Sequence, residues 1–136
     1  MQRWLFPLTL GLVASSTAQS HHSINGVYDS TRSATVEGHV TEFRFVNPHP
    51  VLVIEVQVGA ERQSWQLEMD NRFELAEIGM TANTFLAGER VVATGSLGRT
   101  EPHRLYLRRL DRVADGLRYE QIGFSPRVSV NPTAGE

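Results

Sequence analysis

Alternation of apolar and polar residues organises the chain from residue 34 onward. In ATVEGHVTEFRFV, residues 34–46, Val36, Gly38 and Val40 fall on one parity, while Thr35, Glu37, His39, Thr41 and Phe43 fall on the other. That period of two predicts a long strand, with Gly38 as a bulge or bend. Asn47-Pro48-His49-Pro50 must end it, because two prolines cannot continue a ladder. VLVIEVQV, residues 51–58, is β-branched and apolar and predicts a core strand. Gly59-Ala60 then turns the chain into residues 61–69, so the pair reads as a hairpin.

The period changes at DNRFELAEIGM. Phe73, Leu75, Ala76 and Ile78 predict a short helix, capped by Asp70 or Asn71 and ended by Gly79. RVVATGSL supplies a fourth strand and RLYLRRL, residues 104–110, a fifth, with GLRYEQIGF as a further short one. Three strands, a helix and two strands is the order of a small five-stranded barrel of the OB type. The predicted class is therefore all-β with one short helix, an OB-like β-barrel over residues 34–124. An open sheet and a small sandwich are the alternatives. Residues 19–33, rich in turn formers, predict a flexible arm, and residues 125–136, polar with two prolines, predict a fraying tail.

The first 18 residues have a different pattern. Arg3 precedes a short apolar run, and Ser16-Thr17-Ala18 supplies small residues of the kind a signal peptidase reads, so residues 1–18 predict a signal peptide. The run falls short of the roughly 20 residues a membrane span needs. Cleavage is expected after Ala18 or Ser20, and the compartment is periplasmic or extracellular. No membrane association is expected after cleavage.

Composition narrows the chemistry. The chain has 136 residues, enough for one domain, and a net charge of −2, which gives nucleic acid no general electrostatic pull. Its 13 basic residues are all arginines. It contains no cysteine, which excludes disulfides, thiolate metal sites and cysteine nucleophiles. No nucleophile elbow, phosphate-binding glycine loop or His-Glu-x-x-His motif is present, so enzyme activity is not the expectation.

The histidines are the candidate chemistry. Cleavage after Ala18 places His21 third, where the free amine, two backbone amides and the imidazole can wrap Cu(II) or Ni(II) in a plane. Cleavage after Ser20 places His21 first, where amine and ring chelate together. An exposed arm with two solvated histidines is the plain alternative. His49, between a long strand and a buried one, has rigid backbone beneath it at a rim, a better setting for a ligand than a loose arm. Its alternative role is turn chemistry. His21, His22 and His49 are therefore the candidate metal ligands, with Glu68 and His103 weaker ones. Glu68 reads first as a surface carboxylate, and only second as an extra ligand or a partner orienting an imidazole. His39 reads as a half-exposed cross-strand residue. Leu105, Leu107 and Leu110 are expected to pack inward, and Arg104, Arg108, Arg109 and Arg112 to form a solvated face.

The order of these motifs resembles an uncharacterised family of small exported bacterial proteins, domain of unknown function 6152. The resemblance rests on His21-His22-Ser23, Gly38-His39-Val40-Thr41-Glu42-Phe43, Asn47-Pro48-His49, Trp65, and Leu86-Ala87-Gly88-Glu89-Arg90-Val91 to Gly95. Two positions depart from the family pattern. Gln19-Ser20 stands before His-His in place of a small residue such as alanine, and Gly79-Met80 stands where Gly-Trp is usual. The resemblance implies an exported β-barrel-like domain with no established activity and supplies no metal. It marks both histidine motifs as part of the layout. Two functions follow as expectations: a module binding Cu(II), with Zn(II) or Ni(II) as alternatives, through the arm and rim histidines, or a metal-free OB-type module binding a protein or glycan partner.

Overall fold

The computed structural model describes residues 24–130. The signal segment, both cleavage positions, His21, His22 and residues 131–136 lie outside the described residues. In chain order the elements are α1 (Ile24–Val27), β1 (Tyr28–Arg44), β2 (Val51–Val58), β3 (Glu61–Glu68), α2 (Arg72–Glu77), β4 (Arg90–Gly98), β5 (Arg104–Arg112), β6 (Leu117–Ile122) and β7 (Ser125–Val130). The fold is all-β and mostly antiparallel, with two short helices. Its sheet order is β3-β2-β1-β4-β5-β6-β7, and β3 also pairs in parallel with β5, so the pairings close a circuit β1–β2–β3–β5–β4–β1.

Strand alternation drives this arrangement. Leu52 and Ile54 of β2, Leu67 of β3, Val91 and Ala93 of β4 and Leu105, Leu107 and Leu110 of β5 are fully buried on one side of the sheet. Leu75 of α2 joins the same core with Met80 and Phe85 of the following loop. Asn71, rather than Asp70, caps α2: its side chain accepts a hydrogen bond from the Glu74 N–H at 2.9 Å.

Gly38 allows neighbouring strands to approach closely. A Cβ on Gly38 would press on the Glu55 carbonyl, with the carbonyl carbon at 3.0 Å and Val56 Cγ2 at 3.2 Å. The ladder slips between Val40 and Glu42, around Thr41, whereas Gly38 pairs in regular register with Val91, so the irregularity of β1 lies past the glycine where the sequence predicts it.

Three boundaries differ from the sequence reading. The predicted arm is shorter, because residues 24–27 are helical and β1 begins at Tyr28. Residues 30–32 loop out of register between Asp29 and Ser33, which is why that stretch reads as turn-rich. The predicted fraying tail contains β7, which pairs with β6 from Ile122↔Ser125 to Leu117↔Val130. Its Pro126 is tolerated because β7 is an edge strand. Among the described residues there are thus seven strands: the five of the expected barrel, the further short strand predicted at GLRYEQIGF, which is β6, and the unexpected β7.

Candidate functional site

His49 is half-buried in the β1–β2 loop, next to the cis Asn47–Pro48 bond. That loop is tied down by backbone: the Met69 N–H donates to the Pro50 carbonyl at 2.9 Å and the Arg72 N–H to the Pro48 carbonyl at 3.0 Å. The His49 Nδ1 lies 3.0 Å from the Met69 carbonyl oxygen. A carbonyl only accepts, so Nδ1 carries the proton and Nε2 is left with its lone pair. Metal-binding imidazoles are commonly oriented in this way.

The other histidines are placed differently. His39 is exposed on β1, opposite Glu55 of β2 and Arg90 of β4, in an open basin of about 530 Å³. Both basin carboxylates have arginine partners, Glu37 with Arg90 at 2.7 Å and Glu55 with Arg62 at 3.3 Å. His39 therefore has no uncommitted carboxylate beside it. His103 sits on the β4–β5 turn with φ 56°, and its ring centroid is 5.1 Å from that of Trp65. Among the described residues, no three His, Asp or Glu side chains come together as an ion cradle.

Glu68 is not a free ligand. It accepts from the Tyr28 hydroxyl and from Arg104 Nη2 at 2.9 Å. Arg104 also donates Nε to the Tyr28 oxygen at 2.8 Å and Nη1 to Glu101 at 2.6 Å, and it lies over the Tyr28 ring. This cluster ties Tyr28, the first residue of β1, to β3 and β5. The Arg99 N–H and Nε donate to the carbonyls of Val27 and Asn25 at 2.9 and 3.0 Å, so α1 rests on the β4–β5 turn that carries His103. His103 holds Gln66 of β3 through its carbonyl, and His49 holds Met69 just past the end of β3, attachment points three residues, or about 10 Å, apart.

The sequence reading missed the tyrosines. All three, Tyr28, Tyr106 and Tyr119, are buried in one region. Tyr28 and Tyr106 have ring centroids 5.6 Å apart, and Arg108 lies 4.8 Å from the Tyr106 centroid. The expected solvated arginine face is corrected here for two of its members. The Arg104 side chain is 26% exposed, and that of Arg112 is 14% exposed and bonded to Glu89, Asp115 and the Thr84 carbonyl. Leu105, Leu107 and Leu110 pack inward as predicted.

Burial pushes all three phenols up; for Tyr28 the hydrogen bond to Glu68 adds to the effect. For Arg104, burial pulls the guanidinium down, but its hydrogen bonds to Glu101 and Glu68 outweigh this and the net shift is upward. The tyrosine shifts have a sign that can be tested. The folded state keeps its phenolic protons where the unfolded chain loses them, so stability falls as pH rises above the ordinary value of 10.0. Tyrosinate absorbance is expected to stay near zero past pH 10 and then rise in one step with loss of structure. A gradual rise in the folded protein would show the phenols are accessible.

The fold and its rim define a class: an all-β chain with short helices and a histidine fixed beside the end of β3. Residues 10–104 match the family described as Family of unknown function (DUF6152), and the chain belongs to that family. No curated protein and no solved structure matches it.

Proposed function

We propose that this is an exported, periplasmic or secreted binding protein built on a small OB-like β-barrel, which holds one divalent metal through His21, His22 and His49. The observation that carries this reading is the His49 imidazole, proton on Nδ1 against the Met69 carbonyl and lone pair on Nε2. The mature terminus contributes the other ligands. A set of nitrogen ligands without thiolate favours Cu(II), with Zn(II) and Ni(II) as alternatives. Its role is binding, buffering or delivery. The closed circuit of pairings, with α2 between β3 and β4, supports the OB-like reading.

The test is the native mass of the exported chain with and without Cu(II). A mature chain beginning at Gln19 or His21 and carrying one copper is expected. His49→Ala should weaken its Cu(II) affinity about hundredfold, at the upper end of what losing even an indirect partner costs. A cleaved chain that ignores Cu(II), Zn(II) and Ni(II) ends the metal reading.

A second reading, a metal-free module for a protein partner, is favoured by one observation. Val46, Phe73, Ile122 and Phe124 are all exposed, Phe124 at 97%, on segments that meet around the start of α2. The Arg72 Nε bond to the Phe45 carbonyl and the Gln121 bond to Asp70 link those segments. The same mass measurement on the metal-free chain separates the two readings.

A further inference from the structure

The Met69–Asp70 peptide has His49 on one side and β6 on the other. Its carbonyl accepts from His49 Nδ1. Its Asp70 half is held from β6: the Tyr119 hydroxyl donates to Gln121 Oε1 at 2.8 Å, and Gln121 Nε2 donates to Asp70 Oδ2 at 2.6 Å. Asp70 Oδ1 accepts from the Asn71 N–H at 2.7 Å, so both carboxylate oxygens are committed. The chain of bonds is deep: Tyr119 is fully buried and Gln121 is 8% exposed. Among the described residues no buried side-chain polar atom lacks a partner, so removing one member orphans another.

We propose that Tyr119 and Gln121 are positioning residues for His49, acting through the Met69–Asp70 peptide. By holding the Asp70 carboxylate they fix the plane of that peptide, and the plane fixes the direction of the carbonyl that selects the imidazole tautomer. Both residues lie outside the stretch matched by the family, on β6, which pairs with β5 and β7. The consequence for copper rests on the metal reading above; the consequence for the tautomer does not.

The test uses Tyr119→Phe in the full exported chain, with Gln121→Met as the second variant should the first not fold. The His49 ring nitrogens are read by ¹⁵N NMR without metal, and Cu(II) affinity is measured separately. Wild type is expected to show one tautomer, protonated at Nδ1. The variant is expected to show a mixture and an affinity about tenfold weaker, the usual cost of losing an indirect partner. Val56→Ala, at a buried position on β2, is the control for general loosening and should leave the tautomer unchanged. A folded Tyr119→Phe with wild-type ring shifts overturns the proposal, and so does a Val56→Ala control that shifts them as much. If wild type binds no copper but Tyr119→Phe still mixes the tautomers, the metal reading falls and the positioning stands. If His49→Ala loses copper while Tyr119→Phe changes nothing, the positioning alone falls.

Discussion

Gly95→Ala is expected to cost about 4 kcal/mol, a large share of the roughly 5–15 kcal/mol that holds a domain of this size together. The reason is a backbone crossing. A Cβ at Gly95 would run into the Tyr106 carbonyl, with the carbonyl carbon at 2.9 Å and Leu107 Cα at 3.2 Å. These are main-chain atoms, so no rotamer change relieves the clash. The β4–β5 ladder also shifts register between Thr94 and Gly95, which leaves the pairing little slack to absorb a displacement. Gly59→Ala is the comparison. It has φ 61° but nothing within 4 Å, so only left-handed strain opposes the methyl, about 1 kcal/mol. Urea midpoints of the two variants measure the difference. Equal losses would mean that β4 and β5 do not approach as closely as the structure shows.

Arg104→Ala follows, with an expected loss of about 3 kcal/mol. It removes the cation from Glu68, whose side chain is only 16% exposed, and leaves that carboxylate with the Tyr28 hydroxyl as its side-chain partner. It also removes the stacked guanidinium from the Tyr28 ring. The loss comes mainly from an abandoned buried charge, so it should shrink when the charge goes too. Arg104→Ala combined with Glu68→Gln is expected to be about 1 kcal/mol less destabilised than the two single losses added together. Simple additivity in urea unfolding would show that the pair is not coupled. Because Tyr28 opens β1 and bonds to both residues, the single variant should also loosen the point at which the chain enters the fold. Faster amide exchange at Val27 and Tyr28 would report that, and unchanged exchange there would argue against Tyr28 as the anchor.

The residue patterns behind these results were unequally legible. The apolar run of β2 predicts its burial, and the leucines of β5 do the same, because a strand with one face in the core must alternate. Asn71 as a cap is equally local, a short side chain ahead of a helical pattern. Tyr28 was hidden because the three residues looped out after Asp29 break the alternation that would have marked it as a strand residue. Arg104 and Arg112 read as solvated because a long side chain on the outer parity says nothing about whether it curls back onto carboxylates. β7 was hidden by Pro126, which excludes a central strand and leaves an edge strand open.

The site divides in the same way. From its own residues the sequence marked His49 as a rim position, since the prolines around it end one strand and precede another. It determined the succession of β1 to β5 along the chain, the helix between β3 and β4, and the absence of any thiol chemistry, all properties of composition and of neighbours a few residues apart. Only the tertiary structure decided which nitrogen of His49 carries the proton, that Glu68 is committed to Tyr28 and Arg104, and that Tyr119 and Gln121 brace Asp70. Those facts depend on partners 20 to 76 residues away along the chain, brought together by strand pairing and burial. Local periodicity fixes which face a side chain takes; which group it meets on that face is set by how the strands pair.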